Sequence, residues 1–401
     1  MGQWQFHTPD GVADLLPREC AAKRRMEQRL RQVFSSRGYQ EIETPGIEFY
    51  DVYAAGCGAV AQECLFKFFD HQGRILCLRY DGTVPAARVA ATLLRDEPTP
   101  LRLSYLGNMY RYNEFGGGRQ REFSQAGIEL MGSAGPQADA EVIATAIAAA
   151  LAVGIEDLQV SIGQVAFFRG ILSEWQISGT AADLLPHLID TKQLVAIEEL
   201  ADQLSLPDKA RRVITRLASS MMTENDLDEL ESCVSHPDAL TALQNLRSVL
   251  RILADYDCLR YVSVDLGMLQ SLNYYTGIIF KGFTYGLGFP LFSGGRYDSL
   301  VRSFGRDLCA TGFSMGISLA LTALRRQGKM EPDPQKPILI GSVPGKRAAA
   351  LSLADNLRSS GQVVISDCDD LAPQSLLQRY PDCPILFVEE EGHAVWLREV
   401  R

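Results

Sequence analysis

Between Leu103 and Met131 two strand-like runs flank three consecutive glycines, Gly116 to Gly118, and an alanine-rich segment follows directly. Extended runs on either side of a glycine turn predict an antiparallel hairpin. The segment "VIATAIAAALAVGI", residues 142–155, predicts a buried helix over residues 138–153, with Asp139 and Glu141 well placed in its first turn. It is shorter than the ~20 residues a membrane span needs, so no membrane partner is expected. A hairpin feeding an apolar helix directs the chain toward an α+β fold, an antiparallel sheet flanked by helices.

Further segments extend this pattern. "LPRECAAKRRMEQRLRQVFSSRGY" has Pro17 near a helix start, Met26, Leu30, Val33 and Phe34 at helical spacing, and Gly38 as a stop. "QEIETPGIEFY" reads as an edge or interface strand interrupted by Pro45. "CLFKFFDHQGRILCLRYDGT" reads as a hairpin turning at His71-Gln72-Gly73, and further strands are expected at "LQVSIG", "YVSVDLG", "NYYTGIIFKGF" and "GFSMGIS". Residues of about 180–255 are a helical insertion in which Pro186, Pro207 and Pro237 are expected breaks. "QGKMEPDPQKP", residues 327–337, is a linker between a core domain of residues 1–326 and a small C-terminal α/β domain of residues 338–401.

Composition narrows the chemistry. With 46% hydrophobic residues the 401-residue chain can bury a large core, and a net charge of −10 supplies no global attraction for a polyanion. Nine cysteines without a CxxC pair, and no charged segment leading into an apolar run at the N-terminus, are read as a cytoplasmic protein. The five histidines, at positions 7, 71, 187, 236 and 393, have no partner at metal-ligand spacing, so no metal or cofactor is expected. GxSxG, HExxH and Walker patterns are missing. Cys57 and Cys64 read as buried small residues rather than reactive thiols.

The stretch with most chemical content is "YRYNEFGGGRQREFSQAGIELMG", residues 110–132. Arg111, Arg119 and Arg121 surround the glycines, and arginine forks pair bidentately with carboxylate or phosphate. Gln125, Gly127 and Glu129 alternate, so they share one strand face while Ser124, Ala126 and Ile128 take the other. An amide and a carboxylate beside arginines suit a zwitterion such as an amino acid; a solvated hairpin with surface ion pairs fits the spacing equally well. "LRYDGT" adds Asp81 and Thr83, and "SGGRYD" reads as a tight turn with Arg296 and Asp298 paired locally. Tyr274 and Tyr275, on opposite faces of an expected strand, leave only one to line a pocket.

In order and together, these segments resemble histidyl-tRNA synthetase, a class II aminoacyl-tRNA synthetase, over roughly residues 5–325. The first helix with "EIETPGIE" resembles that class's dimer-forming first motif, and "MYRYNEFGGGRQREFSQAGIELMG" its second, the hairpin that holds ATP and the aminoacyl carboxylate. "SGGRYDSLVRSFG" with "TGFSMGISLAL" is similar to the third, "LQSLNYYTGIIF" to the histidine-specific stretch, and "LRYDGT" to the segment holding the histidine amino group. What the resemblance implies is a class II synthetase-like sheet, a homodimer built on the first helix and the strand near Glu41 to Thr44, and a histidine site of Asp81, Thr83, Arg111, Gln125, Glu129 and Tyr275. Asp81 stands where the family has glutamate, which withdraws the carboxylate by about one methylene.

Three departures fall on the phosphate side. Gln270 replaces an arginine, Ser318 and Leu319 replace a Glu-Arg pair, and Asn113 replaces a glutamate beside an ATP-binding arginine. Attack of a carboxylate on a phosphoryl centre gathers negative charge, and each lost stabiliser costs several kcal/mol, so adenylation is expected to be lost. This combination resembles the synthetase-like regulatory subunits of ATP phosphoribosyltransferase. That resemblance implies no catalytic residues, a short-form catalytic subunit as partner, and L-histidine as effector in the first step of histidine biosynthesis. An active histidyl-tRNA synthetase and an RNA-binding paralogue are the competing readings. Against the latter, residues 336–401 carry seven basic and nine acidic residues, which gives phosphates little to neutralise, so no nucleic-acid partner is expected.

Overall fold

The computed structural model describes residues 6–54, 62–112, 120–219, 221–269, 274–330 and 336–399. They form two compact units, Met1–Met330 and Glu331–Arg401. The first opens with α1 (Pro17–Ser36), which starts on Pro17 and buries Met26, Leu30 and Phe34 as one stripe; Gly38, with φ of +80°, turns the chain out of it. Then come β1 (Gln40–Glu41), β2 (Ile47–Phe49), α2 (Tyr50–Ala54), β3 (Lys67–Phe69), β4 (Ile75–Leu78) and α3 (Thr83–Ala91). The long hairpin β5 (Leu101–Tyr110) and β6 (Glu122–Met131) follows, and then α4 (Pro136–Ala152), β7 (Leu158–Gln164) and α5 (Val165–Glu174).

Five consecutive helices make the insertion: α6 (Thr180–Asp190), α7 (Leu194–Gln203), α8 (Asp208–Leu217), α9 (Glu224–Cys233) and α10 (Pro237–Asp255). Pro207 and Pro237 do sit at helix starts, but Pro186, expected as a break, lies inside α6. The ~3 kcal/mol an interior proline costs is offset by burying Leu185, Leu188 and Ile189, about 1.5–3 kcal/mol each. β8 (Val262–Val264), β9 (Ile278–Thr284), β10 (Phe292–Arg296), α11 (Leu300–Ser303), β11 (Ala310–Gly316) and α12 (Ile317–Arg326) complete the unit.

Its main sheet has the order β1-β5-β6-β11-β10-β9-β7-β8. All neighbours are antiparallel except the two edge pairs, β1 with β5 and β7 with β8. β6 sends Ala126, Ile128 and Leu130 into the core shared with α1 and α4, so its other face meets the side where α3 packs. That second face carries the site. Three readings need correction. "QEIETPGIEFY" lies at sheet edges as expected, but as two strands in two sheets: β1 borders the main sheet and β2 a separate three-stranded sheet of order β2-β4-β3. In "SGGRYD", Ser293 to Arg296 belong to strand β10 rather than to a tight turn, since Gly294 and Gly295 pair with β9 and β11. The strand expected from residue 273 begins only at Ile278, so Tyr274 and Tyr275 are not strand neighbours.

The second unit has a sheet of order β13-β12-β14-β15, from β12 (Ile338–Ser342), β13 (Val364–Ser366), β14 (Ile385–Val388) and β15 (Ala394–Arg398). The first three are parallel and β15 is antiparallel. α13 (Arg347–Ser359) covers one face through Ala350 and Ala354, and α14 (Pro373–Arg379) the other through Leu376. α14 and β15 go beyond the elements read from the sequence. No helix among the described residues is long and apolar enough to cross a membrane.

Candidate functional site

Asp81, Thr83, Arg111, Gln125, Glu129 and Tyr275 line one cavity of about 190 Å³ on the second face of the main sheet. This is below the ~300–1,000 Å³ of drug-sized pockets and suits an amino-acid-sized ligand. Asp81 is placed by the start of α3, where its Oδ1 accepts the Val84 N–H at 3.0 Å. Between Asp81 and Thr83 only glycine fits: a Cβ at residue 82 would lie 2.1 Å from the Tyr105 ring. β6 projects Gln125 and Glu129 into the cavity, as their alternation requires.

Glu129 is fully buried. The Tyr105 hydroxyl donates to its Oε1 at 3.2 Å and the Tyr297 hydroxyl donates to its Oε2. β11 passes so close that a Cβ at Gly312 would stand 1.8 Å from that Oε2. Among the described residues, no Lys, Arg or His forms an ion pair with Glu129. Burial, aided by the charge of Asp81, pushes its carboxyl up to about 8, against the downward pull of the Tyr297, Thr83 and Tyr105 hydrogen bonds. Asp81 is also raised by burial, opposed by the Val84 hydrogen bond and the Arg111 charge. Arg111 itself lies over the rings of Tyr80 and Phe123, at 4.5 and 4.9 Å from their centroids. The Gln125 Nε2 donates to Ser314 Oγ at 2.8 Å, while its Oε1 is buried with no hydrogen-bond partner.

The two tyrosines expected to diverge both line the cavity. They precede β9 in a turn, so the alternation of a strand does not apply. Tyr274 stacks on Tyr297 with centroids 5.5 Å apart, and the Tyr275 carbonyl accepts from Arg169 Nη2 on α5 at 3.0 Å. Sequence reasoning missed Tyr105, Tyr297 and Ser314. Their only signal was register, since β5 pairs Tyr105 with Gly127 and β11 pairs Gly312 with Glu129. Arg296, read as a local partner of Asp298, does approach it at 3.3 Å, but its main partner is the buried Asp139, at 2.9 Å.

A second chamber of about 280 Å³ shares Arg111, Gln125, Ser293 and Ser314 with the first. Phe123, Phe289, Leu291 and Leu319 give it an apolar side, while Gln120, Lys281 and Ser318 line it as well. Leu319 lies close over Gly316, where a Cβ would meet its Cδ1 at 2.9 Å. Of the other residues singled out, Cys57, Asn113, Gly116 to Gly118, Arg119 and Gln270 lie outside the described residues. Cys64 is half-buried rather than buried. No group of three or more His, Cys, Asp or Glu among the described residues could hold a metal.

Comparison with known proteins fits this geometry. Residues 11–319 match the histidyl-tRNA synthetase family. The chain is 48% identical to the ATP phosphoribosyltransferase regulatory subunit of Acetivibrio thermocellus, over 92% of this chain and 88% of that one. It is 40% identical to that of Moorella thermoacetica, over 92% and 94%. The fold superposes on the crystal structure of an ATP phosphoribosyltransferase regulatory subunit/histidyl-tRNA synthetase from Bacillus halodurans with a TM-score of 0.86, at 31% identity, covering 97% of this chain and 99% of that one. A histidyl-tRNA synthetase from Nostoc sp. is alike in fold, with a TM-score of 0.82 at 21% identity over 98% and 97% of the two chains.

Proposed function

Because this chain belongs to the ATP phosphoribosyltransferase regulatory subunits, a branch of the histidyl-tRNA synthetase family, we propose that its cavity senses free L-histidine for a short-form catalytic subunit. The chain is a regulatory subunit with no catalysis of its own. What carries the histidine reading is the pairing of two unmet needs in one small cavity. Among the described residues, Glu129 is a buried carboxyl paired with no Lys, Arg or His, and Gln125 Oε1 is a buried acceptor with no hydrogen-bond partner. A zwitterion with an extra ring nitrogen meets both. Arg111 takes the ligand carboxylate, and its charge bears on Asp81, so the ammonium on the same carbon goes to Asp81. Its side chain then reaches inward to Glu129 and Tyr275, with Thr83 and Gln125 completing the polar shell.

ATP is expected to bind weakly or not at all beside it, since the chamber that would take the phosphates presents Leu319 and aromatic rings beside its two cations, Arg111 and Lys281. In this reading histidine is a feedback effector, read without being consumed. The subunit is a cytoplasmic homodimer within a hetero-oligomer, supported by the apolar residues Ile47, Phe49 and Phe68 left exposed on the small sheet. Residues 338–401, on the far side of the 327–337 linker, form a domain separate from the core of residues 1–326 and have no RNA-binding role.

Glu129→Ala tests the site. Titration calorimetry is expected to show histidine affinity falling about 5- to 150-fold, the equivalent of roughly 1–3 kcal/mol. The complex with the catalytic subunit should resist histidine inhibition to the same degree. Unchanged binding and inhibition would remove this cavity as the sensor. Histidine-dependent ATP–pyrophosphate exchange at a synthetase-like rate would instead restore the enzyme reading.

A further inference from the structure

Glu129 sits inside a ring of hydroxyls rather than cations. Tyr105 on β5 and Tyr297 after β10 hold its two oxygens, and Thr83 stands 3.4 Å from the Tyr105 hydroxyl. Asp81 faces it from the start of α3, and Tyr274 and Tyr275 from the turn before β9, while the Glu129 charge also reaches Tyr39 in the core on the other side of the sheet. β11 contributes only Gly312 at this point. Arg111 and Arg79 exert their charge on Asp81. With no cation paired to it among the described residues, in a fully buried place, the Glu129 carboxyl is pushed up to about 8 by burial and by Asp81 and is held as the neutral acid near pH 7.

We propose that Tyr105 and Tyr297 are specificity-determining residues of the effector site, positioning Glu129 so that one proton is shared between its carboxyl and the ligand's imidazole ring. This rests on the histidine reading above and adds its chemistry. The neutral acid brings one O–H and the neutral ring one free nitrogen lone pair. On binding, the proton on the Glu129 oxygen lies against or passes to that nitrogen, giving a carboxylate and an imidazolium, and no proton enters or leaves. A ring with no basic nitrogen leaves the O–H without an acceptor, which is how the site would reject other amino acids of similar size.

The consequence is a pH profile with two limbs. Free imidazole titrates near ~6.5, and Glu129 at about 8. Between these values the free partners and the complex hold the same number of protons, so affinity is level. Above the upper value the free site has lost its proton and binding must take one up; below the lower value ligand and site together hold one too many and binding must release it. Affinity therefore falls on both sides, approaching tenfold per pH unit.

Titration calorimetry of the full chain with L-histidine, in two buffers of different ionisation enthalpy, counts these protons directly. The wild type should exchange almost none near pH 7 and take up most of one proton at pH 8.5. Glu129→Gln, which cannot titrate, should lose that uptake and so separates it from titration of the ligand's own ammonium. Tyr297→Phe keeps the ring stacked on Tyr274 and removes one donor that favours the carboxylate, so the alkaline limb should move to higher pH. Tyr105→Phe should move it the same way, and serves alone if the first variant does not fold. Normal histidine binding with no proton uptake at pH 8.5, or a limb unmoved in a folded tyrosine variant, would overturn the shared proton while leaving the effector site intact. No histidine binding at any pH would overturn the effector reading itself, and this inference with it.

Discussion

The two chambers share a wall and differ in kind. The inner one is built almost entirely from polar groups that constrain one another: Glu129 between two tyrosines, Gln125 on Ser314, Asp81 on the first turn of α3. The outer one keeps the same strands and the same Arg111, and adds Phe123, Phe289, Leu291 and Leu319 beside Lys281, Gln120 and Ser318. On the proposed reading, a recognition site can therefore persist beside a chamber that has lost phosphate contacts, on one unchanged sheet. Removing charge stabilisers from the outer chamber costs several kcal/mol of transition-state stabilisation each, but nothing in folding, because apolar residues pack there. Removing a member of the inner network would strand buried polar partners.

The largest effect that would sharpen this contrast lies just outside the inner chamber. Arg296 and Asp139 form a buried ion pair, with 7% and 1% of their surfaces exposed, next in sequence to Tyr297. Asp139→Ala is expected to destabilise the unit by about 3–5 kcal/mol. The lower end applies, because Asp298 and the carbonyls of Ser133 and Gly135 still receive the guanidinium. Denaturant unfolding measures the loss, and histidine titration of the folded fraction measures the second part. Affinity should fall too, since Tyr297 is held by the same strand end. Lost stability with unaltered affinity would show that the inner chamber does not depend on this support.

Gly312→Ala comes next. Its Cβ would meet Glu129 Oε2 at 1.8 Å and the Ile128 carbonyl at 2.6 Å, and the latter is backbone that cannot rotate away. Overpacking of this kind costs roughly 1–3 kcal/mol, and Glu129 must leave its place between the tyrosines. Histidine affinity should drop at least as far as in Glu129→Ala, with the fold retained by circular dichroism. A Gly312→Ala chain that binds histidine normally would break the assignment of Glu129.

How far this could be read in advance depended on the distance in sequence over which each contact is made. Gln125 and Glu129 were legible because strand alternation is local, and Asp81 with Thr83 because they sit at one helix start. Tyr105 and Tyr297 were not, since their hydroxyls converge from β5 and from the residue after β10 through the register of three strand pairs. Tyr274 and Tyr275 were misread for a local reason: aromatic and β-branched residues run unbroken into β9, and nothing in them marks Ile278 as the first paired residue. Gly294 and Gly295 were misread in the opposite sense. They look like a turn, yet are strand residues, and at 294 a Cβ would lie 2.4 Å from the Gly312 carbonyl. Pro186 shows burial overriding a breaker.

On the outer side, Leu319→Arg asks whether the contrast is one of single residues or of the whole lining. A guanidinium there would add one charge-assisted contact to a triphosphate, about 1.5–3 kcal/mol at best. Desolvation among Phe123, Phe289 and Leu291 takes much of that back. Binding of ATP should improve by no more than about tenfold, the equivalent of 1.4 kcal/mol, and pyrophosphate exchange should stay absent. Restored exchange from this one change would mean that the outer chamber is a reaction site one residue short.

The smallest effect tests the shared wall itself. Ser314 lines both chambers, and its hydroxyl is the acceptor for Gln125 Nε2 at 2.8 Å. Ser314→Ala removes that acceptor and leaves the amide to turn, a loss of about 0.5–1.5 kcal/mol for one neutral hydrogen bond. If Gln125 contacts the effector through its unpartnered Oε1, this appears as histidine binding weakened about 2- to 12-fold. ATP and its analogues should be nearly indifferent, because the one hydrogen bond of this hydroxyl found among the described residues holds Gln125 and not a phosphate group. Titration of histidine and of a non-hydrolysable ATP analogue against the same preparation decides the matter. Weaker histidine binding alone places Ser314 and Gln125 in the recognition half of the cavity, whereas equal changes for both ligands would mean that the two chambers act as one.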